Sequence, residues 1–289
     1  MNAIDFFDNI DDFRSFAPGV DGTLQLDSLY PSFLPTKKRI QDVITIGVYD
    51  AIKADFVLEQ PQHTIAILSL RSAIANYTMY KYKIFDAVSK NGSDQKLYKY
   101  QLDEIKEEYI TMFWASMDEL LRYLESHEEL GSWKDSDQYK QRSELPIKDA
   151  KEFNNYFGID NSPYFFSKVQ FLITKINQDQ IIPRVGDLAS LTNEKLKEKC
   201  KRALCSHVMA DAAVLFDITE LPKSIRNDVA HEFTKGGTAV QVREKLNAII
   251  MKDVMSYYSD IERAKSVSSG VTENIVNNNR ESDRIYFMS

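Results

Sequence analysis

The residues of this sequence that could support catalysis or bind a metal are few, and their spacing is unfavourable. His231 and Glu232 are adjacent, as in the helix of zinc proteases, where two histidines four residues apart bind the metal and the glutamate acts as the base. Lys235 occupies the position of the second histidine. The pair therefore predicts no zinc site.

Cys200, Cys205 and His207 lie close together within one predicted helix. These positions point to different sides of a helix and cannot converge on one metal ion. The Cα atoms of the two cysteines would lie about 8 Å apart, which is too far for a disulfide and indicates a reducing compartment. We interpret His207 as a core or half-buried polar residue.

Other motifs of catalysis and ligand binding are also missing from the sequence. Asp135, Asp137 and Glu144 resemble part of a calcium loop, but the required glycine and the oxygen spacing are absent. The sequence has no glycine-rich phosphate loop, no nucleophile elbow and no CxxC pair. We therefore expect no enzyme, no cofactor and no metal.

Composition and charge are those of a globular protein that does not coat nucleic acid. The chain has 289 residues, 43% of them hydrophobic, and a net charge of −7. Only 10 glycines and 8 prolines favour helices over a many-stranded sheet. The start of the chain predicts no secretory signal, and no apolar run of about 20 residues predicts a transmembrane helix, so we expect no membrane partner.

Two apolar segments, 64–88 and 198–216, have helical spacing and match each other at an offset of 130 positions. An offset of 139 aligns the preceding segments and places Gly47 on Gly186. The pattern predicts an all-α helical bundle built from two repeated units, each a helix, a glycine turn and a more buried second helix. Within the first segment, residues 64–70 are apolar nearly all round and predict burial, whereas 77–83 should run towards the surface.

The sequence between and after the repeats predicts three regions. Residues 1–130 form the first half, which includes a long helix from 95 to 129, the longest expected. Residues 131–265 form the second half, in which 131–145 is a polar connection and Ser162-Pro163 caps a helix. Residues 266–289 form an extended C-terminal tail, rich in Ser and Asn.

Three sets of residues are candidates for an interaction surface. The long helix carries nine acids against two bases between residues 101 and 130, so it is either a solvated face or an acidic wall, with the candidates Asp103, Glu104, Glu107 and Glu108. The start of the second repeated helix carries a basic cluster that is either solvated or contacts phosphates or an acidic patch, namely Lys195, Lys197, Lys199, Lys201 and Arg202. An apolar cluster in the tail predicts an interface, namely Ile285, Tyr286, Phe287 and Met288.

Short sequence motifs of the chain resemble those of a known family. The motifs are Ala150 to Phe153, Tyr156 to Gly158 and Ile181 to Pro183, and they lie within a helix–Gly–helix order from about Leu29 to Asn227. They resemble the head–tail connector (adaptor) proteins of tailed phages of Bacteroidetes, of the crass-like type. The resemblance implies a structural protein of the virion, at the head–tail junction, assembled in the cytoplasm of the host bacterium. It implies a homo-oligomeric ring of about a dozen copies, with the portal protein and other tail or ring proteins as partners. DNA would pass through the ring transiently, and the family has no catalytic residues.

Two other functions stay open at this point. A cytoplasmic helical adaptor would be monomeric or dimeric and bind a protein or peptide. An enzyme would assemble its site from scattered carboxylates and show a deep pocket with perturbed pKa values.

Overall fold

A computed structural model describes residues 4–89, 99–227 and 239–268, and these residues contain helices and no β-strand. The predicted all-α fold is confirmed. The α-helices are α1 (Ile10–Arg14), α2 (Tyr30–Ile44), α3 (Ile46–Phe56), α4 (Thr64–Ser89), α5 (Lys99–Ser126), α6 (Asp137–Glu144), α7 (Ala150–Tyr156), α8 (Pro163–Ile176), α9 (Ile182–Val185), α10 (Glu194–Leu215) and α11 (Ala239–Ser268). Shorter helical turns span Leu26–Leu29, Leu130–Asp135, Asn177–Ile181 and Ile218–Glu220, and residues 223–227 are also helical.

The two largest helix contacts are those of α4 with α5 and of α10 with α11. Helix α2 packs on α4, and α8 packs on α10, so each half has a pair of long helices with a preceding helix against it. Contacts between α5 and α8 join the halves, and one hydrophobic core runs from Ile4 to Ile261. The duplication itself stays a prediction, since helices that pack in the same order need not be repeats.

The expected glycine turn of the first half is wrong in its position. Thr45, with φ 73° and ψ 159°, separates α2 from α3, and its hydroxyl accepts a hydrogen bond from the Val48 N–H. Gly47 lies in the first turn of α3 instead. In the second half, Gly186 does end α9, with φ 77°. A threonine in this left-handed region is strained, so the break depends on the packing around it.

Gly47 and Gly131 allow a close backbone contact between α3 and the connection. A Cβ on Gly47 would lie 3.2 Å from the Gly131 carbonyl oxygen, and a Cβ on Gly131 would lie 2.5 Å from the Val48 Cα. The connection was expected to be polar and without periodicity, yet it folds into the turn Leu130–Asp135 and α6, and Trp133 is buried. The buried indole and the glycine contact hold it against α3.

Burial along α4 matches the prediction only in part, since Ala66, Ile67 and Leu70 are buried as expected. Ile65 and Leu68 are about half exposed, whereas Tyr77 and Lys83 are buried. The tyrosine hydroxyl accepts a hydrogen bond from Arg39, and the lysine lies 3.6 Å from Asp86. Polar groups can enter the interior when partners satisfy them, and the apolar run alone does not reveal those partners.

The C-terminal part also differs from the expectation. Within the described residues, α11 spans 30 positions and α5 spans 28, and the predicted start of the acidic helix at residue 95 lies outside them. Helix α11 continues to Ser268, past the expected start of the tail. The predicted interface residues of the tail and the His231–Lys235 segment lie outside the described residues. Among the helices that the structure describes, none combines the length and the apolar character needed to cross a membrane.

Candidate functional site

The four acidic candidates of α5 lie together on one cavity of about 680 Å³. Asp103, Glu104 and Glu108 are exposed there. Glu107 is different, because the Arg226 Nε donates a hydrogen bond to its Oε1 at 2.9 Å. The acidic face that remains available is therefore three residues wide, at the start of α5.

Arg226 explains why Glu107 is held in place. Its side chain is only 2% exposed, and its guanidinium also donates to the Leu221 carbonyl at 2.8 Å and to the Thr111 hydroxyl at 3.2 Å. The same group lies 5.3 Å from the Trp114 ring. These contacts hold the segment after residue 220 against α5, so the role of Glu107 is structural.

Acids further along α5 are paired and contribute less to an acidic wall. The carboxylate of Glu125 accepts a hydrogen bond from Arg142 at 2.9 Å, and Glu128 accepts one from the Tyr139 hydroxyl at 2.5 Å. Lys134 is ion-paired with Glu129. The segment from Lys134 to Arg142 thus supplies two cations and one hydroxyl donor to the acids at the end of α5 and just after it.

The basic candidates of α10 divide between two faces. Lys201 donates to Glu152 at 2.6 Å, and Lys197 lies with it on a cavity of about 330 Å³. Lys195, Lys199 and Arg202 are exposed at helical spacing on another face, with the Lys199 Nζ 3.9 Å from Asp260. Only this second group is a candidate for contacting phosphates or an acidic surface.

Asp118 is a partly buried carboxyl with a raised pKa. Burial raises its pKa to about 6, against the hydrogen bonds that its Oδ1 accepts from the Tyr164 N–H at 2.9 Å and the Ser162 hydroxyl at 2.7 Å. The Ser162 oxygen in turn caps α8 through the Phe165 N–H, as the sequence predicted. Asp118 joins α5 to the start of α8, which is a structural role.

The environments of the two cysteines and of His207 also indicate structural roles. Burial raises the pKa of Cys200 to about 11 and that of Cys205 well above its usual value, so neither is a reactive thiolate. His207 is partly buried, and its Nδ1 lies 2.8 Å from the Tyr258 hydroxyl. Across the described ranges, no three His, Cys, Asp or Glu side chains come close enough to hold a metal.

The best-connected polar cluster was not predicted from the sequence. The Arg39 guanidinium donates to the Tyr164 hydroxyl at 2.6 and 2.9 Å, to the Tyr77 hydroxyl at 3.0 Å and to Glu220 at 2.6 Å. Lys168 is ion-paired with the same Glu220. The cluster therefore ties α2, α4 and α8 to the turn at Ile218–Glu220.

No local signal distinguishes Arg39 from its neighbours Lys37 and Lys38. Its partners lie 38 to 181 residues away, so only the tertiary structure brings them together. A cavity of about 460 Å³ opens beside this cluster.

Comparison with known proteins gives one match. Residues 27–143 match a family of unknown function (DUF6712). The match spans α2 to α5, the connection and nearly all of α6. No curated protein and no solved structure matches the chain.

Proposed function

We propose that the protein is a structural component of a phage virion that forms a ring at the head–tail junction, joins the portal to the tail and lets DNA pass. The resemblance to head–tail connectors gives the proposal its specific form. The observation that carries it is a group of exposed apolar side chains where α3 leads into α4.

This group comprises four large apolar residues within twelve positions. Val57 is 74% exposed and Leu58 is 52% exposed, while Ile65 and Leu68 on the first turns of α4 are 50% and 47% exposed. Contiguous exposed apolar surface on a protein marks an interface, because it is buried from water on association. These four side chains are therefore candidates for a contact with a neighbouring subunit.

The charged faces fit a contact between unlike surfaces of identical subunits. The acidic residues are at the start of α5, and the exposed basic residues are at the start of α10. A head-to-tail contact of two different patches generates a ring when its rotation closes. If the acidic face instead lined the lumen, it would repel DNA phosphates and keep the passing DNA from adhering.

Light scattering of the purified protein, alone and with portal complex, tests the proposal. We expect a ring-sized assembly with portal, and a variant with Leu58→Ser and Ile65→Ser should assemble less. A variant with Ile249→Ser and Met255→Ser is the matched control, since these two side chains are 57% and 59% exposed but lie on α11. A protein that stays monomeric and never binds portal would contradict the proposal; a monomer or dimer that binds another protein would favour the adaptor.

The tail provides an independent test. We propose that Ile285 to Met288 anchor in a neighbouring subunit or in the next ring. Deletion of residues 282–289 should abolish assembly and leave the far-UV circular dichroism unchanged. Unaltered assembly would show that the tail has another role.

A further inference from the structure

The cavity beside Arg39 lies where the two halves of the molecule meet. Helices α2, α4, α6 and α8 all contribute to it, and its volume is about 460 Å³. Basic and neutral polar side chains lie on its wall, namely Lys38, Arg39, Lys81, Gln138, Ser167 and Lys168. The volume is within the range of small-molecule sites, and the apolar walls of Tyr77, Tyr164 and Val43 are typical of them.

The polar cluster beside the cavity contains more basic than acidic side chains. Glu220 is the shared carboxylate partner of Arg39 and Lys168, and all three side chains are largely buried. When Lys168 is protonated, two cations surround one carboxylate, and the excess charge in a region of low dielectric is costly. Burial and the Arg39 charge lower the pKa of Lys168 to about 7, whereas the exposed Asp217 favours its charged form.

Two further lysines on the cavity wall, Lys38 and Lys81, differ in their partners. Lys38 is ion-paired with Asp42 at 2.9 Å. The Lys81 Nζ lies 5.3 and 5.6 Å from the ring centres of Tyr77 and Tyr80, and in the described parts of the chain no carboxylate pairs with it. Lys81 therefore offers its charge to whatever enters the cavity.

We propose that this cavity binds a phosphate group, either free or as the monoester of a small molecule. Arginine and lysine side chains bind phosphate oxygens through charge-assisted hydrogen bonds, and hydroxyl and amide groups such as those of Ser167 and Gln138 add neutral donors. A bound anion would balance the excess charge around Glu220. It would thereby strengthen the contact between α2 and α8, so phosphate should stabilise the fold.

The arrangement favours a small anion over a nucleic-acid backbone. The Arg39 and Lys168 side chains are recessed between helices, with 22% and 18% of their surface exposed. The inference is independent of the proposed ring, because binding and assembly are measured separately.

Isothermal titration calorimetry of the full chain tests the site with sodium phosphate, adenosine monophosphate and, at matched ionic strength, sodium chloride. We expect saturable binding of phosphate and a higher Tm with it, but neither with chloride. Lys81→Gln and Lys168→Gln should each weaken binding by about tenfold or more, the usual worth of a hydrogen bond to a charged group. Lys175→Gln, which is exposed on α8 outside the cavity, should bind as the wild type does.

The outcomes separate the sources of the phosphate. Equal affinity for both anions would support a site for the free group, and tighter binding of adenosine monophosphate would support a monoester site. If Lys168→Gln fails to fold, Lys81→Gln decides, because that side chain is only partly buried. No binding beyond that of chloride, or an equal loss in Lys175→Gln and Lys81→Gln, would overturn the proposal.

Discussion

The Arg39 Nη2 donates a hydrogen bond to the Glu220 Oε2 at 2.6 Å, between residues 181 positions apart in the chain. The guanidinium also lies 4.8 Å from the Tyr77 ring, so an aromatic face and a carboxylate hold the same cation. This contact connects α2 with the turn that follows α10. The two halves are therefore joined by a polar cluster as well as by the shared core.

Removing the carboxylate of Glu220 should destabilise the protein. Glu220→Gln leaves Arg39 and Lys168 buried with no negative partner, and we expect the free energy of unfolding to fall by about 2 to 4 kcal/mol. Urea denaturation followed by circular dichroism measures it. Glu119→Gln is the control, because its 3.7 Å pair with Arg122 is exposed and should be worth less than about 1 kcal/mol. If both variants lose the same free energy of unfolding, the buried cluster contributes no more to stability than an exposed ion pair does.

Stability should increase with pH above neutrality through Lys168. Burial lowers the pKa of this lysine to about 7 in the fold, whereas the unfolded chain keeps the ordinary value of 10.5. Between these values the unfolded chain binds more protons, so raising the pH favours the fold. We expect the free energy of unfolding to rise from pH 7 to about pH 9 in urea denaturation, by less than the pKa alone implies because the Glu220 carboxylate favours the charged lysine. Lys168→Gln should abolish this gain and Lys175→Gln should retain it; a gain that survives Lys168→Gln would rule out this lysine as the source.

The titration of Asp118 should decrease the stability of the fold as the pH rises, in a lower pH range than the effect of Lys168. Burial raises its pKa from 3.8 to about 6, so the folded state binds more protons in this interval and stability falls as the pH rises through it. Asp118→Asn keeps an oxygen that can accept both hydrogen bonds, which go to Oδ1 alone. We expect this variant to exceed the wild type by about 1 to 3 kcal/mol at pH 8 and to match it near pH 4. A constant difference across this range would show that the carboxyl does not titrate as described.

Gly131 should tolerate no side chain. Gly131→Ala would place a Cβ 2.7 Å from the Gly47 carbonyl oxygen and fix a residue at φ 57°, so we expect a loss of about 2 to 4 kcal/mol in thermal or urea unfolding. Gly158→Ala provides the comparison, because a Cβ there meets nothing within 4 Å. Similar stability of the two variants would argue against the close contact between α3 and the connection.

If the basic face of α10 contacts the acidic face of α5 in the next subunit, charge reversal should disrupt assembly. A variant with Lys195→Glu, Lys199→Glu and Arg202→Glu should have a lower molar mass by light scattering in the presence of portal. Like charges would then face each other, and such contacts are unfavourable. Reversing Asp103, Glu104 and Glu108 to lysine in the same chain should restore assembly.

The control for the charge-reversal experiment changes the same number of charges elsewhere. Lys151, Lys175 and Lys252 are exposed on α7, α8 and α11, and their reversal to glutamate should leave assembly intact. If this control also fails to assemble, overall net charge would be responsible. If the restored variant stays dissociated, the two faces do not meet.

Local signals predicted the helices, and distant contacts account for the errors. Ser162 before Pro163 identified the start of α8, because a cap depends only on neighbouring residues. The left-handed Thr45 and the buried Tyr77 could not be predicted, since the groups that hold them come from other elements. The acidic residues of α5 are evident from composition, but composition does not reveal that Glu107 is bound by Arg226, which lies 119 residues further along the chain.

The separation of Arg39 from Glu220 along the chain also determines how long after Arg39 its carboxylate partner is synthesised. At a ribosomal rate of about 5 to 20 residues per second, roughly 10 to 40 s pass between the emergence of the two residues. During this interval the guanidinium of α2 has no carboxylate from the second half to pair with, and α4 and α5 form without their final cover. The Arg39 guanidinium of the nascent first half therefore has no carboxylate partner from the second half until the turn Ile218–Glu220 is made, and the cavity itself forms only once α8 supplies Tyr164, Ser167 and Lys168.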